Sequence, residues 1–278
     1  MLILEIIKAI VLGIIEGITE WLPISSTGHM ILVDELMMLN VSDEFKELFL
    51  VVMQLGAICA VPVFFSRQLW PFYRTKSVAE RKETLSLWLK VIVGAIPAAI
   101  FGVLLDDLLD EYLYNYVTVA ITLLVYGIAF IIVERFKKES SFRVERVTDL
   151  SYADALKIGA YQVLSLIPGT SRSGSTILGG MLSGVSRTAS AEFSFFMAIP
   201  IMLGASGLKV LKFILDGYNA TSDEILLLLV GIVVSFIVSL AAIKFLMDFV
   251  KRHSFTVFGV YRIVLGIAVL LYFIIRNI

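Results

Sequence analysis

Apolar positions along this chain come in long unbroken blocks separated by short charged stretches, a pattern of bilayer crossings and not of amphipathic soluble helices. Five blocks have the length and apolarity of a full span: 48–65, 88–105, 117–133, 225–243 and 257–275. Residues 193–215 make a sixth, with Lys209 and Lys212 near one end. The loops between the blocks alternate in sign. Arg67, Arg74, Lys76, Arg81 and Lys82 precede the second span, whereas Asp106, Asp107, Asp110 and Glu111 follow it. Arg135, Lys137, Lys138, Arg143 and Arg146 come next, then Asp216, Asp223 and Glu224, then Lys244, Lys251 and Arg252. The positive-inside rule puts the basic loops in the cytoplasm. Lys209 and Lys212 fall near the outer end and must snorkel or pair.

Parity then constrains residues 153–189. They lie between a cytoplasmic loop and a span that starts inside, so they enter and leave on one side. The pieces flanking "PGTSRSGS" are about half the roughly 20 residues a crossing needs, which predicts a re-entrant hairpin. Non-helical backbone at such depth must be buried in protein or line a wet cavity. The stretch "WLPISSTGHMILV" at 21–33 has the same form: Pro23 and Pro168 open the two breaks, Ser25-Ser26 falls opposite Ser171-Arg172, and Thr27-Gly28 falls opposite Ser173-Gly174. Each break is followed by three spans. An acidic loop carrying Asp34, Glu35, Asp43, Glu44 and Glu47 sets the end of the first hairpin outside, while the second begins and ends inside.

The expected fold is therefore an all-α polytopic membrane protein. It has six transmembrane helices plus two re-entrant helical hairpins, arranged as an inverted-topology repeat within a single membrane domain, 1–278. Repeat one is 1–135, with its hairpin at about 7–38; repeat two is 153–278, with its hairpin at about 153–189; a cytoplasmic linker, 136–152, joins them. Paired broken segments are the best sequence pointer to a site near the midplane.

Composition agrees. Hydrophobic residues make up 59% of 278 positions and charged residues 17%, and the mean hydropathy is +0.92. The net charge of −1 offers no electrostatic footprint for nucleic acid, and no such partner is expected. Cys59 stands alone, which excludes an intramolecular disulfide and argues against a cysteine-built metal site. The N-terminal apolar run lacks a basic start and a small-residue cleavage site, so it is expected to remain in the protein, and no lipidation motif is visible.

The breaks hold the chemistry. Hydroxyls and unpaired N–H groups before a helical run make an anion site at a helix N-terminus, here at Ser25, Thr27 and Gly28 and again at Ser171, Ser173 and Gly174. Arg172 adds a planar fork for phosphate oxygens. Glu16 and Glu20, four residues apart, share a helix face just before the first break. An intramembrane charge costs roughly 2.5–3.5 kcal/mol, so these carboxylates need a partner, either Arg172 or a divalent cation. Each residue alone has a blander reading. Serines before a helix are caps, Gln54 and Glu192 are readable as ties between helices, and His253 beside Lys251 and Arg252 is interfacial. Arg262 is equally readable as a structural counter-ion or as a distant member of the site. Convergence of Glu, Ser, His and Arg on two repeat-related breaks favours function.

"EGITEWLPISSTGHM", "PGTSRSGSTILGGMLSGVSR" and "EFSFFMAIP" closely resemble the undecaprenyl-diphosphate phosphatase family, also called bacitracin-resistance proteins, over nearly the whole chain. The resemblance implies a hydrolase of the bacterial cell membrane that removes the terminal phosphate of the C55 isoprenoid diphosphate, recycling the carrier lipid for cell-wall synthesis. It puts the acidic-rich motif on Glu16, Glu20, Ser26 and His29 and the second motif on Ser171, Arg172 and Ser173, with no departure at these positions. Mg²⁺ or another divalent cation held by Glu16 and Glu20, a homodimer, and a site opening to the periplasmic or extracellular side are likewise implied. Ser26 is then the candidate nucleophile, with His29 or Glu20 as base, Arg172 and the hairpin N–H groups as charge stabilisers, and Gln54 as a further phosphate contact. Attack by His29 or by water stays open. A secondary transporter or lipid flippase is the alternative, because paired broken segments are also transporter architecture; an anion channel fits less well, since the carboxylates repel the ion.

Overall fold

The computed structural model describes residues 2–137 and 142–276; the side chains of 34–36, 106, 107 and 110 are outside the description, so the charges assigned above to Asp34, Glu35, Asp106, Asp107, Asp110 and Lys138 lie outside the described residues. Its elements are α1 (Leu2–Thr19), α2 (Ser26–Leu36), α3 (Asp43–Phe64), a single turn α4 (Ser66–Leu69), α5 (Val78–Leu113), α6 (Tyr116–Phe136), α7 (Tyr152–Val163), α8 (Arg172–Leu182), α9 (Arg187–Leu215), α10 (Ser222–Val250) and α11 (Thr256–Arg276). Among the described residues the only extended pairing is an isolated bridge between Val144 and Val185.

Among the described residues, six helices are long and apolar enough to cross a membrane: α3, α5, α6, α9, α10 and α11. They contain the predicted blocks, except that α3 stops one residue short of the end of the first, and they begin ahead of them, because polar residues at their starts cap the helix instead of ending it. Ser42, Asn115 and Ser186 each accept a hydrogen bond from the backbone N–H three residues on, and Ser77 with Glu80 and Thr221 with Glu224 form reciprocal capping boxes. Half-exposed Leu89, Ile92, Ile96 and Ile100 make an outward stripe along α5, and Ile121, Val125, Ile128 and Ile132 do so along α6. On a molecule of this hydropathy such stripes face lipid.

Helix α1 starts earlier than the sequence pattern suggests, at Leu2. Its polar residues are satisfied locally: Lys8 Nζ donates to Glu5 Oε1 at 2.9 Å and to the Met38 carbonyl at 2.6 Å, and Glu5 Oε2 accepts from the Asn40 N–H. Lys209, flagged as needing a partner, pairs with Glu47 of α3. At the opposite end, Glu134 receives a two-pronged contact from Arg187 and a third hydrogen bond from the Phe255 N–H, which ties α6, α9 and the start of α11 together.

Helix α1 packs on α10, α7 on α5, α3 between α9 and α10, and α6 along α11. Without a hydrophobic drive between helices in lipid, small residues let backbones approach. A Cβ on Gly56 of α3 would fall 2.0 Å from the Ile232 carbonyl oxygen, and one on Gly159 of α7 would fall 2.2 Å from that of Gly94. This tight frame surrounds two interruptions, between α1 and α2 and between α7 and α8. Helices α2, α7 and α8 have only 11, 12 and 11 residues, about half a crossing.

Candidate active site between two chain breaks

Both breaks end on the same device. Ser25 and Ser171 are the N-caps of α2 and α8, and their Oγ atoms accept from the N–H groups of Gly28 (3.2 Å) and Gly174 (3.1 Å). They are also the only described non-glycine residues with positive φ, at 73° and 70°. Such conformations cost of order 1–3 kcal/mol each and persist only where the surroundings impose them. In return, each short helix starts abruptly at the break, where its first N–H groups have no intrahelical partner.

Glu20, Ser26 and Arg172 meet in that gap. The break turns α2 back so that Ser26 Oγ donates to Glu20 Oε2 at 3.2 Å. From the other break, Arg172 Nη2 donates to Glu20 Oε1 at 2.8 Å, while its Nη1 donates to the Ser194 carbonyl at 2.8 Å. The Nε of Arg172 is buried without a partner. The guanidinium lies 5.6 Å from the ring of Trp21, which is itself fully buried and edge-on to Phe195 at 5.0 Å. Trp21 and Ser194 thus aim the arginine, and neither was singled out from sequence; the signal was there for both, since each lies inside a quoted motif. Thr176 extends the contact, its Oγ1 2.7 Å from Ser194 Oγ.

The other predicted residues divide by what they touch. Ser173 Oγ donates to the carbonyls of Glu20 (3.1 Å) and Leu22 (3.3 Å), joining the second break to the backbone of the first. Ser171 Oγ lies 3.2 Å from Ser173 Oγ. Glu16 sits one turn before Glu20, 2% exposed, with Oε1 unpartnered. His29 is anchored by Nδ1 to the Ser25 carbonyl at 2.7 Å, and its Nε2 lies 2.7 Å from the Tyr261 hydroxyl; no hydrogen bond joins it to Ser26 among the described residues. Thr27 is half-buried beside Ser26. Gln54, on α3, is half-buried and is not hydrogen-bonded to either break among the described residues.

Arg262 resolves into a brace. It is fully buried, donates to the carbonyls of Pro23 (3.2 Å), Gly169 (2.9 Å) and Thr170 (2.9 Å), and lies 5.5 Å from the Tyr126 ring. One cation thereby satisfies carbonyls from both breaks. Arg262→Met, which keeps volume but no donors, strands three buried acceptors. At about 1–3 kcal/mol per stranded group, a melting temperature lower by at least roughly 4 °C is expected in detergent; an unchanged transition would show that the carbonyls are satisfied otherwise.

Helix α8 is walled in, with Ser173 through Met181 all buried, whereas α2 is half-exposed along most of its described length. A separate crevice of about 380 Å³, lined by Arg67, Lys76, Glu80, Glu83, Arg146 and Glu192 among others, shares no residue with the breaks.

Fold and site together define a polytopic helical membrane protein whose buried charges and hydroxyls gather where two interrupted segments meet. The chain matches the family described as bacitracin resistance protein BacA over residues 9–268, and it belongs to that family. It is 54% identical to an undecaprenyl-diphosphatase of Desulfitobacterium hafniense, covering 100% of this chain and 99% of the relative. It is 56% identical to one of Acetivibrio thermocellus, with 98% of each covered. A third, from Enterococcus faecalis, is 57% identical over 96% of this chain and 97% of its own.

Proposed function

We propose that this chain is an integral-membrane phosphatase that hydrolyses undecaprenyl diphosphate to undecaprenyl phosphate and inorganic phosphate, returning the carrier lipid to cell-wall synthesis and giving bacitracin resistance. The observation that carries the mechanism is the bridging carboxylate: Glu20 takes a hydrogen bond from Ser26 on one oxygen and from Arg172 on the other. Ser26 Oγ passes its proton to Glu20 and attacks the terminal phosphorus. The Ser–O–P bond forms, the bond to the bridging oxygen breaks, and undecaprenyl phosphate leaves. Water then attacks phosphorus with His29 taking its proton, the Ser–O–P bond breaks as Glu20 returns its proton to Ser26 Oγ, and inorganic phosphate departs. Phosphoryl transfer depends on positioning and charge neutralisation; Arg172 and the N–H groups at the starts of α2 and α8 supply both. Ser25, Thr27, Gly28, Ser171, Ser173 and Gly174 shape that cradle, and Gln54 is retained only as a contact made by bound substrate.

Glu16 would be the first ligand of a divalent cation, with Glu20 joining it only by giving up one of its present contacts. Mg²⁺ takes one or two carboxylates and fills its shell with water and substrate phosphate, and Glu16 offers a buried oxygen with no other partner. When bound, the ion neutralises charge on phosphate oxygens.

The interrupted segments act as re-entrant hairpins in an inverted repeat, with repeats 1–135 and 153–278. Three observations support this. Ser25 and Ser171 share cap and φ. "QLGAICAVP" in α3 aligns with "EFSFFMAIP" in α9, proline on proline. The packing of α1 on α10 is mirrored by that of α7 on α5, as an exchange of halves requires. The half-exposed α2 supports an opening toward the outer face, where a long lipid tail can stay in hydrocarbon while its diphosphate reaches the gap. The apolar outer faces leave room for a homodimer.

Phosphate release from the lipid diphosphate by purified protein in detergent, where no transport is possible, tests the activity. Steady release supports the phosphatase, and its absence would leave a flippase or carrier as the reading. Orientation has its own test: a cysteine replacing Ser77 is expected to be labelled only from the cytoplasm and one replacing Asn115 only from outside. Reversed labelling would overturn the parity argument for both hairpins.

A further inference from the structure

Tyr261 lies on α11 next to the brace Arg262, 45% exposed, in a span where an aromatic residue ordinarily reads as lipid-facing. Its hydroxyl nevertheless has a polar partner, 2.7 Å away at His29 Nε2, and the two rings lie nearly parallel, 11° apart with centroids at 5.6 Å. The opposite ring nitrogen, Nδ1, is 2.7 Å from the Ser25 carbonyl oxygen. That oxygen can only accept, so Nδ1 carries a hydrogen whatever the charge of the ring. The neutral imidazole therefore has its lone pair on Nε2, and the Tyr261 hydroxyl donates to it.

We infer that Tyr261 is a positioning residue of the phosphatase site, holding the ring of His29, already the Nδ1–H tautomer, in one orientation by its Nε2. The inference rests on the reading of His29 as the base for water. Ser26 already has its acceptor in Glu20, so the imidazole is free for the second step, in which a proton must leave the attacking water. A base works only when the nitrogen bearing its lone pair faces the proton it takes. The Ser25 carbonyl pins one end of the ring, at the strained cap of α2, and Tyr261 pins the other from a helix locked to both breaks through Arg262. A water entering in place of the tyrosine hydroxyl meets the same lone pair.

The chain has two histidines, so His253→Asn leaves His29 as the sole imidazole. In such protein carrying ring-¹⁵N histidine, at neutral pH, one protonated and one bare nitrogen are expected, the bare one being Nε2. Tyr261→Phe, which keeps the ring, should leave that tautomer in place but shift the Nε2 resonance and broaden it, as the ring loses its second anchor. It should also lower kcat about tenfold with KM for the lipid diphosphate within about twofold of the parent, and add no loss on top of His29→Ala. A ring protonated on Nε2 in the parent, an unchanged spectrum and kcat in Tyr261→Phe, or equal losses with and without His29 would each overturn the inference while the phosphatase reading stands. Full turnover in His29→Ala would instead remove the role of His29, and with it this one.

Discussion

Ser26→Ala is expected to reduce turnover by about 10³-fold or more, because no other group beside Glu20 can form the covalent adduct. The hydroxyl is already in hydrogen-bond contact with Glu20, the attacker and its base facing each other from the two ends of one break. If Ser26 merely bound phosphate, its loss would remove one charge-assisted hydrogen bond, worth about 1.5–3 kcal/mol, and activity would stay within roughly 10² of the parent. Acid quenching during turnover of substrate labelled in the terminal phosphate separates the cases. Label on Ser26 is the expected result. Label on His29 would move the nucleophile to the imidazole, and a strongly active, unlabelled alanine variant would make water the attacker. Ser25→Ala is the internal comparison; it loses the cap on Gly28, about 1 kcal/mol of local stability, and should cost less in turnover.

Arg172→Lys is expected to be nearly as damaging as Arg172→Ala, each lowering kcat/KM by about 10²–10³-fold. The guanidinium reaches Glu20 with one nitrogen and Ser194 with another while lying against Trp21. An ammonium is a point charge that cannot span both partners and still present a donor to phosphate. The alanine change also leaves Glu20 as a buried carboxylate without its cation, which is costly on its own. Melting curves should therefore accompany the rates. A lysine variant with near-normal turnover would dismiss the fork, whatever its stability.

The spans and breaks could be read from the chain because the bilayer imposes its own ruler. A block of apolar residues long enough to cross must be helical, and a proline followed by serines, glycine and charge within such a block must be an interruption that protein shields. Those are local consequences of the solvent, so the six blocks and the positions near Pro23 and Pro168 carried them in full. The helix ends were less legible. Ser42, Ser77 and Thr221 look like loop residues by hydropathy but act as caps, extending α3, α5 and α10 into the polar regions.

The sequence by itself determined which residue types are available at the breaks: two carboxylates on one face, two capping serines, one arginine, one histidine. Only the tertiary structure decided which of them touch. Glu20 accepts from Arg172, which arrives from 152 residues away. His29 stood near Ser26 in sequence, yet its ring turns to Tyr261, 232 residues on. Arg262 was open between counter-ion and site member until its three carbonyl partners, drawn from both breaks, made it a brace. Hydropathy and spacing act within a few turns of helix. These contacts span helices brought together by packing across the whole chain, and no pattern within one segment encodes which distant side chain will fill the space opposite.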